Sequence, residues 1–250
     1  MFPLRDENPT LKTPVVTVIL IVANVIVWLY VQGAGYSERL LGESVCGLGL
    51  IPAEVTGLAA VVVRGEAPCA LGGLAFGAVF TSMFLHASWL HLLGNMWFLW
   101  LFGNNVEDVM GHGRFLAFYV LVGLAAAGAH VMSGPGSVIP TVGASGAISG
   151  IMGAYLLLYP RVRIQTLFVF IIFLRVIPVP AWLVLILWFA LQALTAYATS
   201  SDTGGVAVWA HVGGFVAGLV MVKVFVDTKL IAARSERARL NSQPQDGYPG

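Results

Sequence analysis

The sequence predicts an all-α membrane protein with six transmembrane helices, and three observations carry that prediction. Of its 250 residues, 58% are hydrophobic and only 10% charged, with a mean hydropathy of +0.86; a soluble domain carries about 25% charged residues. Six apolar runs lie at about 15–31, 88–104, 115–133, 143–159, 180–199 and 206–226, each near the roughly 20 residues that cross a bilayer. With six spans and a cytoplasmic N-terminus, eleven of the thirteen Lys and Arg residues fall at cytoplasmic ends: Arg5, Lys12, Arg114, Arg161, Arg163, Arg175, Lys223, Lys229, Arg234, Arg237 and Arg239. Arg39 and Arg64 lie outside. That asymmetry follows the positive-inside rule, and a seventh span would put one end of the chain on the wrong side.

The elements follow in order. Residues 1–14 form a polar cytoplasmic segment. The run from Val15 to Val31 exceeds the usual apolar core of a signal peptide, so it reads as an uncleaved signal-anchor helix, although Gly33-Ala34-Gly35 imitates a cleavage site. A long outer loop, about 32–87, carries Glu38, Glu43, Glu54, Glu66, Cys46 and Cys69. An exported disulfide and two buried free thiols are both open for the cysteines. Within this loop Ala70 to Ala87 is apolar and glycine-rich, which suits either a further helix or a shallow insertion leading into the second span. The stretch Ser133-Gly134-Pro135-Gly136-Ser137 through Pro140 cannot be helical throughout. The fourth span then has only about 25 Å from Gly143 to Tyr159 and is expected to start below the outer surface. Residues 15–226 make one membrane domain, and 227–250 read as a polar, disordered cytoplasmic tail. A net charge of +1, with no basic face outside that tail, argues against nucleic acid as a partner; the partner implied by composition is the lipid bilayer.

Chemistry is indicated by polar side chains inside these apolar runs, where they are costly and rare without a partner or a task. Ser145 lies in Gly143-Ala144-Ser145-Gly146, and His211 in Ala210-His211-Val212-Gly213-Gly214. A serine hydroxyl becomes a useful nucleophile only with a base within about 2.6–3.2 Å, and a neutral imidazole is the usual one. The fourth and sixth spans contain no Asp or Glu, so a two-residue Ser–His arrangement is the simpler expectation. Gly146 and Gly150 are four residues apart, as are Gly214 and Gly218, and such small-xxx-small faces let membrane helices meet backbone to backbone. Gly218 projects within about 20° of His211, so the histidine belongs to the close-packed face. A helix start beside Ser145 would offer free N–H groups to a developing oxyanion. His91 and Asn95, one turn apart at the head of the second span, add two side-chain donors. His86 points elsewhere and is expected to be a structural hydrogen-bonding group. His112 and His130 lack polar neighbours at helical spacing and are expected to pack or sit at an interface.

Together these motifs resemble the rhomboid family of intramembrane serine proteases: His86-x4-His91-x3-Asn95 entering the second span, Gly143-x-Ser145-Gly146 opening the fourth, and Ala210-His211-x2-Gly214-x3-Gly218 in the sixth. Val106-Glu107, Gly111, Arg114-Phe115 and Tyr119 also fit the family pattern, and the likeness runs over about 5–226. The resemblance implies a six-helix rhomboid-like bundle with a partly inserted first external loop. It implies Ser145 as nucleophile, His211 as base and then acid, and an oxyanion hole from His91, Asn95 and the Ser145 backbone N–H. The implied reaction is hydrolysis of a peptide bond in or beside a substrate's transmembrane helix, without cofactor or metal, in a bacterial cytoplasmic membrane. Trp182, Trp188 and Phe189 of the fifth span resemble the family's lateral substrate gate. Two departures stand out. Ser149 occupies a place where many members carry an aromatic ring packed on the histidine, and the first loop lacks the Trp-Arg pair of some relatives.

Other classes fit less well. A transporter would show paired half-helices or internal repeats, and the sequence has neither. A metal site built on His86, His91 and His211 fails on the i, i+5 spacing of the first two and the missing carboxylate. The remaining alternative is a catalytically inactive rhomboid-like protein that binds or escorts membrane clients, against which the presence of both Ser145 and His211 argues. Substrate identity and oligomeric state leave no mark on the sequence.

Overall fold

Each of the six apolar runs folds as a helix, and the connections between them hold the departures from expectation. The computed structural model describes residues 2–60, 67–73, 75–169, 174–198 and 207–242. In chain order the elements are strand β1 (Phe2–Asp6) and helices α1 (Val15–Val31), α2 (Glu38–Leu48), α3 (Ala75–Phe84), α4 (Trp89–Met110), α5 (His112–Ser133) and α6 (Ser145–Leu158). Strands β2 (Arg163–Val169) and β3 (Leu174–Pro180) follow, then helices α7 (Ala181–Ala198), α8 (Val208–Phe225) and α9 (Thr228–Ser242). Arg64, Glu66, the stretch 199–206 between the fifth and sixth runs, and 243–250 lie outside the described residues.

By length and composition α5 and α8 can each cross a membrane alone. The pair α3 and α4 passes the same test together, bent by 79° at their junction. The apolar segment before the second span is thus a helix turned sharply away from α4. Helix α6, at 14 residues, extends only about 21 Å. Ser88 starts α4 by accepting the His91 backbone N–H at 3.2 Å, which satisfies one of the open amides at a helix start. Gly111, at φ +76°, makes the left-handed turn from α4 to α5 that a β-carbon would oppose.

The core lies where α8 passes between α5 and α6. Phe115, Phe118 and Tyr119 of α5, Tyr155 of α6 and Phe215 of α8 are all buried there. No apolar side chain separates α6 from α8 at their closest approach. A β-carbon on Gly214 would land on the Gly146 carbonyl, and one on Gly218 on the Gly150 carbonyl. Gly153 meets the Phe215 backbone in the same way, which extends the contact by a turn the sequence reading did not include.

Two features add to the expected helical bundle, and one open reading is resolved. The chain is not helical throughout: β1, β2 and β3 form an antiparallel sheet in the order β1-β2-β3, with Phe2 opposite Leu167 and Arg163 opposite Pro180. The run after α6, Arg163-Ile-Gln-Thr-Leu-Phe-Val, has β1 on one side and β3, its near neighbour in sequence, on the other. The tail is not disordered over Thr228–Ser242, where α9 forms. Arg234 of α9 pairs with Asp108, donates to Asn8 Oδ1 at 2.6 Å and Asn105 Oδ1 at 3.0 Å, and lies over the Tyr159 ring. Cys46 and Cys69, open between two readings, form a disulfide that ties α2 to the segment before α3.

Carboxylates organise the end of the bundle opposite Ser145. Glu107, almost fully buried, accepts the Val16 and Thr17 backbone N–H groups at 2.9 and 2.8 Å and the Thr17 hydroxyl at 2.7 Å. It thereby caps the start of α1 from 90 residues away in sequence. Its contact with His112 Nδ1 at 2.6 Å gives that histidine a polar partner five residues away, off the helical spacing. Asp108 accepts the Leu11 and Lys12 N–H groups at 3.1 and 2.9 Å. Asp6 accepts from the Tyr155 hydroxyl at 2.6 Å and from Asn105 Nδ2 at 2.8 Å.

Burial pushes the Asp6 carboxyl from 3.8 up to about 6, against the downward pull of the Tyr155 hydroxyl and Arg234. The folded protein therefore holds this proton over a range where the unfolded chain has lost it. The resulting stabilisation is full below about 3.8 and is lost as pH rises through about 6. Asp6→Asn cannot ionise, so its melting temperature relative to wild type is expected to rise as pH is raised from about 4 to about 8. A constant difference across that range would contradict the assignment.

Candidate active site

The Ser145 hydroxyl and the His211 imidazole meet across the glycine seam, with Oγ and Nε2 2.7 Å apart. Two packing facts produce the contact. Gly146 and Gly214 let the α6 and α8 backbones approach closely, and Ser145 opens α6 while His211 sits in the first turn of α8. Ile148 N–H to Ala144 C=O, at 3.0 Å, is the first hydrogen bond of α6. The amides of Ser145, Gly146 and Ala147 thus precede the helical ladder at the positive end of its dipole.

Gly143 brings His91 to the same place. Its φ is +134°, and a β-carbon there would lie 2.9 Å from His91 Cε1 and Nε2 and 3.5 Å from Ser145 Oγ. Glycine is thus needed twice over, for its backbone angle and for the approach of the ring. His91 Nδ1 accepts the Ala87 backbone N–H at 3.4 Å, which leaves Nε2 to carry the ring proton on the side facing Gly143. Asn95 is buried, and its Nδ2 has no hydrogen-bond partner among the described residues. A cavity of about 250 Å³ touches Ser145, His211, His91 and Asn95 together. A wider one of about 560 Å³ reaches Ser145 and His211 past Ala87, Ser88 and Thr141. Asn95, with its buried and unpaired donor, and Ser145 line the same cavity, a favourable setting for an atom that acquires negative charge.

The other named residues divide. Trp188 packs near the His211 ring, with centroids 5.9 Å apart, and Phe189 stacks on Phe215 at 4.5 Å. Trp182 is about half-exposed at the opposite end of α7, about 15 Å of helix rise from the level of Gln192, and is not brought to the site. Ser149 donates to the Ser145 carbonyl at 2.6 Å, so its hydroxyl is engaged within α6 rather than with His211. His86 differs from expectation. Its backbone N–H and C=O pair with the Gln32 amide at 2.8 and 2.7 Å, while its buried ring nitrogens have no partner among the described residues. The ring stands edge-on to His91 at 5.1 Å. His130 also differs, through a 2.8 Å contact from Nε2 to the Thr141 hydroxyl. Among the described residues no group of three or more His, Cys, Asp or Glu is placed to hold a metal ion.

Sequence reasoning missed Gln192. Its Oε1 lies 2.9 Å from His211 Nδ1, on the side of the ring away from Ser145. The available signal was a lone amide in the apolar helix α7, which is costly unless it is paired.

A bundle of apolar helices that buries a hydroxyl–imidazole pair beside unpaired donors defines an integral membrane protein with an enclosed polar site. Comparison with known proteins gives the family. The Rhomboid domain model matches residues 74–228, well over half of the chain, and the chain belongs to the rhomboid family. It is 32% identical over 149 residues to the putative rhomboid protease YdcA of Bacillus subtilis, covering 57% of this chain and 61% of that protein. It is 30% identical over 149 residues to the mitochondrial rhomboid protein 1 of Saccharomyces cerevisiae, covering 57% and 40%. It is 41% identical over 76 residues to the rhomboid protease GluP of Bacillus subtilis, covering 30% and 14%. The matched region thus spans between about one seventh and three fifths of these relatives' lengths.

Proposed function

We propose that this protein is an intramembrane serine endopeptidase that hydrolyses a peptide bond in or near the transmembrane helix of membrane-protein substrates, using Ser145 and His211 as a catalytic dyad. The observation that carries the reading is the 2.7 Å contact between Ser145 Oγ and His211 Nε2. It is supported by family membership and by relatives whose names include rhomboid proteases. We read the chain as six spans with both termini cytoplasmic, in a bacterial cytoplasmic membrane. Residues 1–14 precede the membrane domain of 15–226, and 227–250 follow it on the cytoplasmic side.

In this mechanism His211 Nε2 takes the hydroxyl proton as Ser145 Oγ bonds to the substrate carbonyl carbon. The carbonyl oxygen becomes the oxyanion, which receives hydrogen bonds from the Ser145 backbone N–H, His91 Nε2–H and Asn95 Nδ2–H. The imidazolium then returns its proton to the departing amine as the C–N bond breaks, leaving an acyl ester on Ser145. A water molecule, deprotonated by His211, attacks that ester, and collapse of the second tetrahedral species frees the acid and the serine. The amide proton and the water are accounted for, so no cofactor or metal is needed. Gln192 holds the far side of the imidazole, Trp188 packs near the ring, and Trp188 and Phe189 line the side of α7 facing α8. Trp182, at the opposite end of α7, lies away from the reacting pair.

The inactive alternative, a rhomboid-like protein that binds membrane clients, requires none of this geometry. A serine-directed fluorophosphonate probe separates the two readings. The expected result is one covalent adduct, located on Ser145 by peptide mass analysis and lost when His211 is replaced. An adduct on another serine, or none with a folded protein, would remove the peptidase assignment.

A further inference from the structure

We infer that Gln192 is a positioning residue for His211, holding the imidazole in the one tautomer able to accept the Ser145 proton; the inference rests on the dyad reading above. Gln192 Oε1 lies 2.9 Å from Nδ1, and Ser145 Oγ lies 2.7 Å from Nε2. An amide oxygen can only accept, so Nδ1 must donate to it. A neutral imidazole carries one proton, and with Nδ1–H fixed, Nε2 presents its lone pair to the serine hydroxyl. The opposite tautomer would point Nε2–H at Oγ, leaving the serine proton without an acceptor and the Gln192 oxygen without a donor from the ring. An orienting acceptor behind the imidazole is the part a third group plays in Ser–His–Asp sites; here an uncharged amide supplies it.

Among the described residues, no other directed acceptor is paired with His211 Nδ1. Ser149 spends its hydroxyl on the Ser145 carbonyl, and Trp188 offers a ring at 5.9 Å, tilted 41°, which restricts motion but does not select a proton position. Among the described residues, the titratable groups whose charge acts on His211 are His91 of α4 and His130 of α5, both imidazoles. Helices α6, α7 and α8 contain no Asp or Glu. Trp188 and Gln192 are four residues apart, on one face of α7. The support therefore comes from a third helix, not from either helix that carries the reacting pair.

The test uses the full chain, purified in detergent, with a single-span model substrate. Gln192→Met keeps side-chain length and removes the acceptor, whereas Gln192→Glu restores an acceptor that carries charge. Gln192→Met is expected to lower kcat about ten-fold or more while KM stays within about two-fold, because the lost contact acts on the base and not on substrate binding. Gln192→Glu is expected to recover much of kcat and to move the acid limb of the kcat/KM profile upward by on the order of one pH unit, since a carboxylate favours the imidazolium. A purely structural glutamine would leave that limb in place. Wild-type kcat in Gln192→Met, or an unmoved acid limb in Gln192→Glu, overturns the inference; the second result decides it even where the methionine variant folds poorly. Fluorophosphonate labelling of the wild type is run alongside. Labelling absent from Ser145 defeats the dyad itself, whereas labelled Ser145 with unaltered Gln192 variants defeats only the role of the glutamine.

Discussion

Ser145→Ala is expected to abolish cleavage of a single-span substrate, a fall of about 10⁴-fold or more, because the nucleophile is removed and water must attack unaided. His211→Ala is expected to fall nearly as far. In a two-residue device each member depends on the other, so the double variant should be hardly slower than either single one. The fold should survive. Ser145 is partly exposed to the cavity, and its side-chain contact with His211 Nε2 is worth about 1 kcal/mol of stability. Substrate turnover by gel mobility, with thermal unfolding as the control, decides the matter; undiminished cleavage in Ser145→Ala would end the mechanism.

The largest structural effect is expected at Gly218. A β-carbon there would fall on the Gly150 carbonyl oxygen and within 2.8 Å of the Gly150 Cα, and neither backbone can retreat as a side chain would. Gly218→Val should cost about 3 kcal/mol or more, at the upper end of overpacking penalties. It should also reduce activity, because parting α6 from α8 separates Ser145 Oγ from His211 Nε2. Gly128, whose β-carbon would meet nothing within 4 Å, provides the matched control, and Gly128→Ala should unfold near the wild-type temperature. Equal melting temperatures for Gly218→Val and wild type would show that the seam is not close-packed.

The contrast between those glycines explains what was legible in the sequence. Helix positions follow from runs of apolar residues, and the α6–α8 seam follows from two Gly-x3-Gly spacings, since both signals are local and periodic. Contacts between residues far apart in sequence left no such mark. Gln192 stands alone in an apolar helix, and its partner lies 19 residues onward on another element. β1 pairs with a strand more than 150 residues away, so nothing near it in sequence marks it, whereas β2 has its second partner, β3, close by in the chain. Arg234, in a charged run of high helical propensity, reads as solvated until Asp108 is placed beside it. The Thr141 hydroxyl beside His130 and the carboxylate beside His112 were missed for related reasons. One lies across a loop, and the other is offset by five residues and comes round the turn at Gly111.

Arg234 carries an implication for biogenesis. It reaches back 126 residues to Asp108 and 226 to Asn8, so segments far apart in the chain converge on one corner. During synthesis Asp108 emerges long before its guanidinium, and the N-terminal strand must wait for Arg163–Val169 before it can pair. Closure of that corner is therefore a late event in maturation. A chain that lacked Arg234 would leave the buried Asp108 carboxylate without its cation.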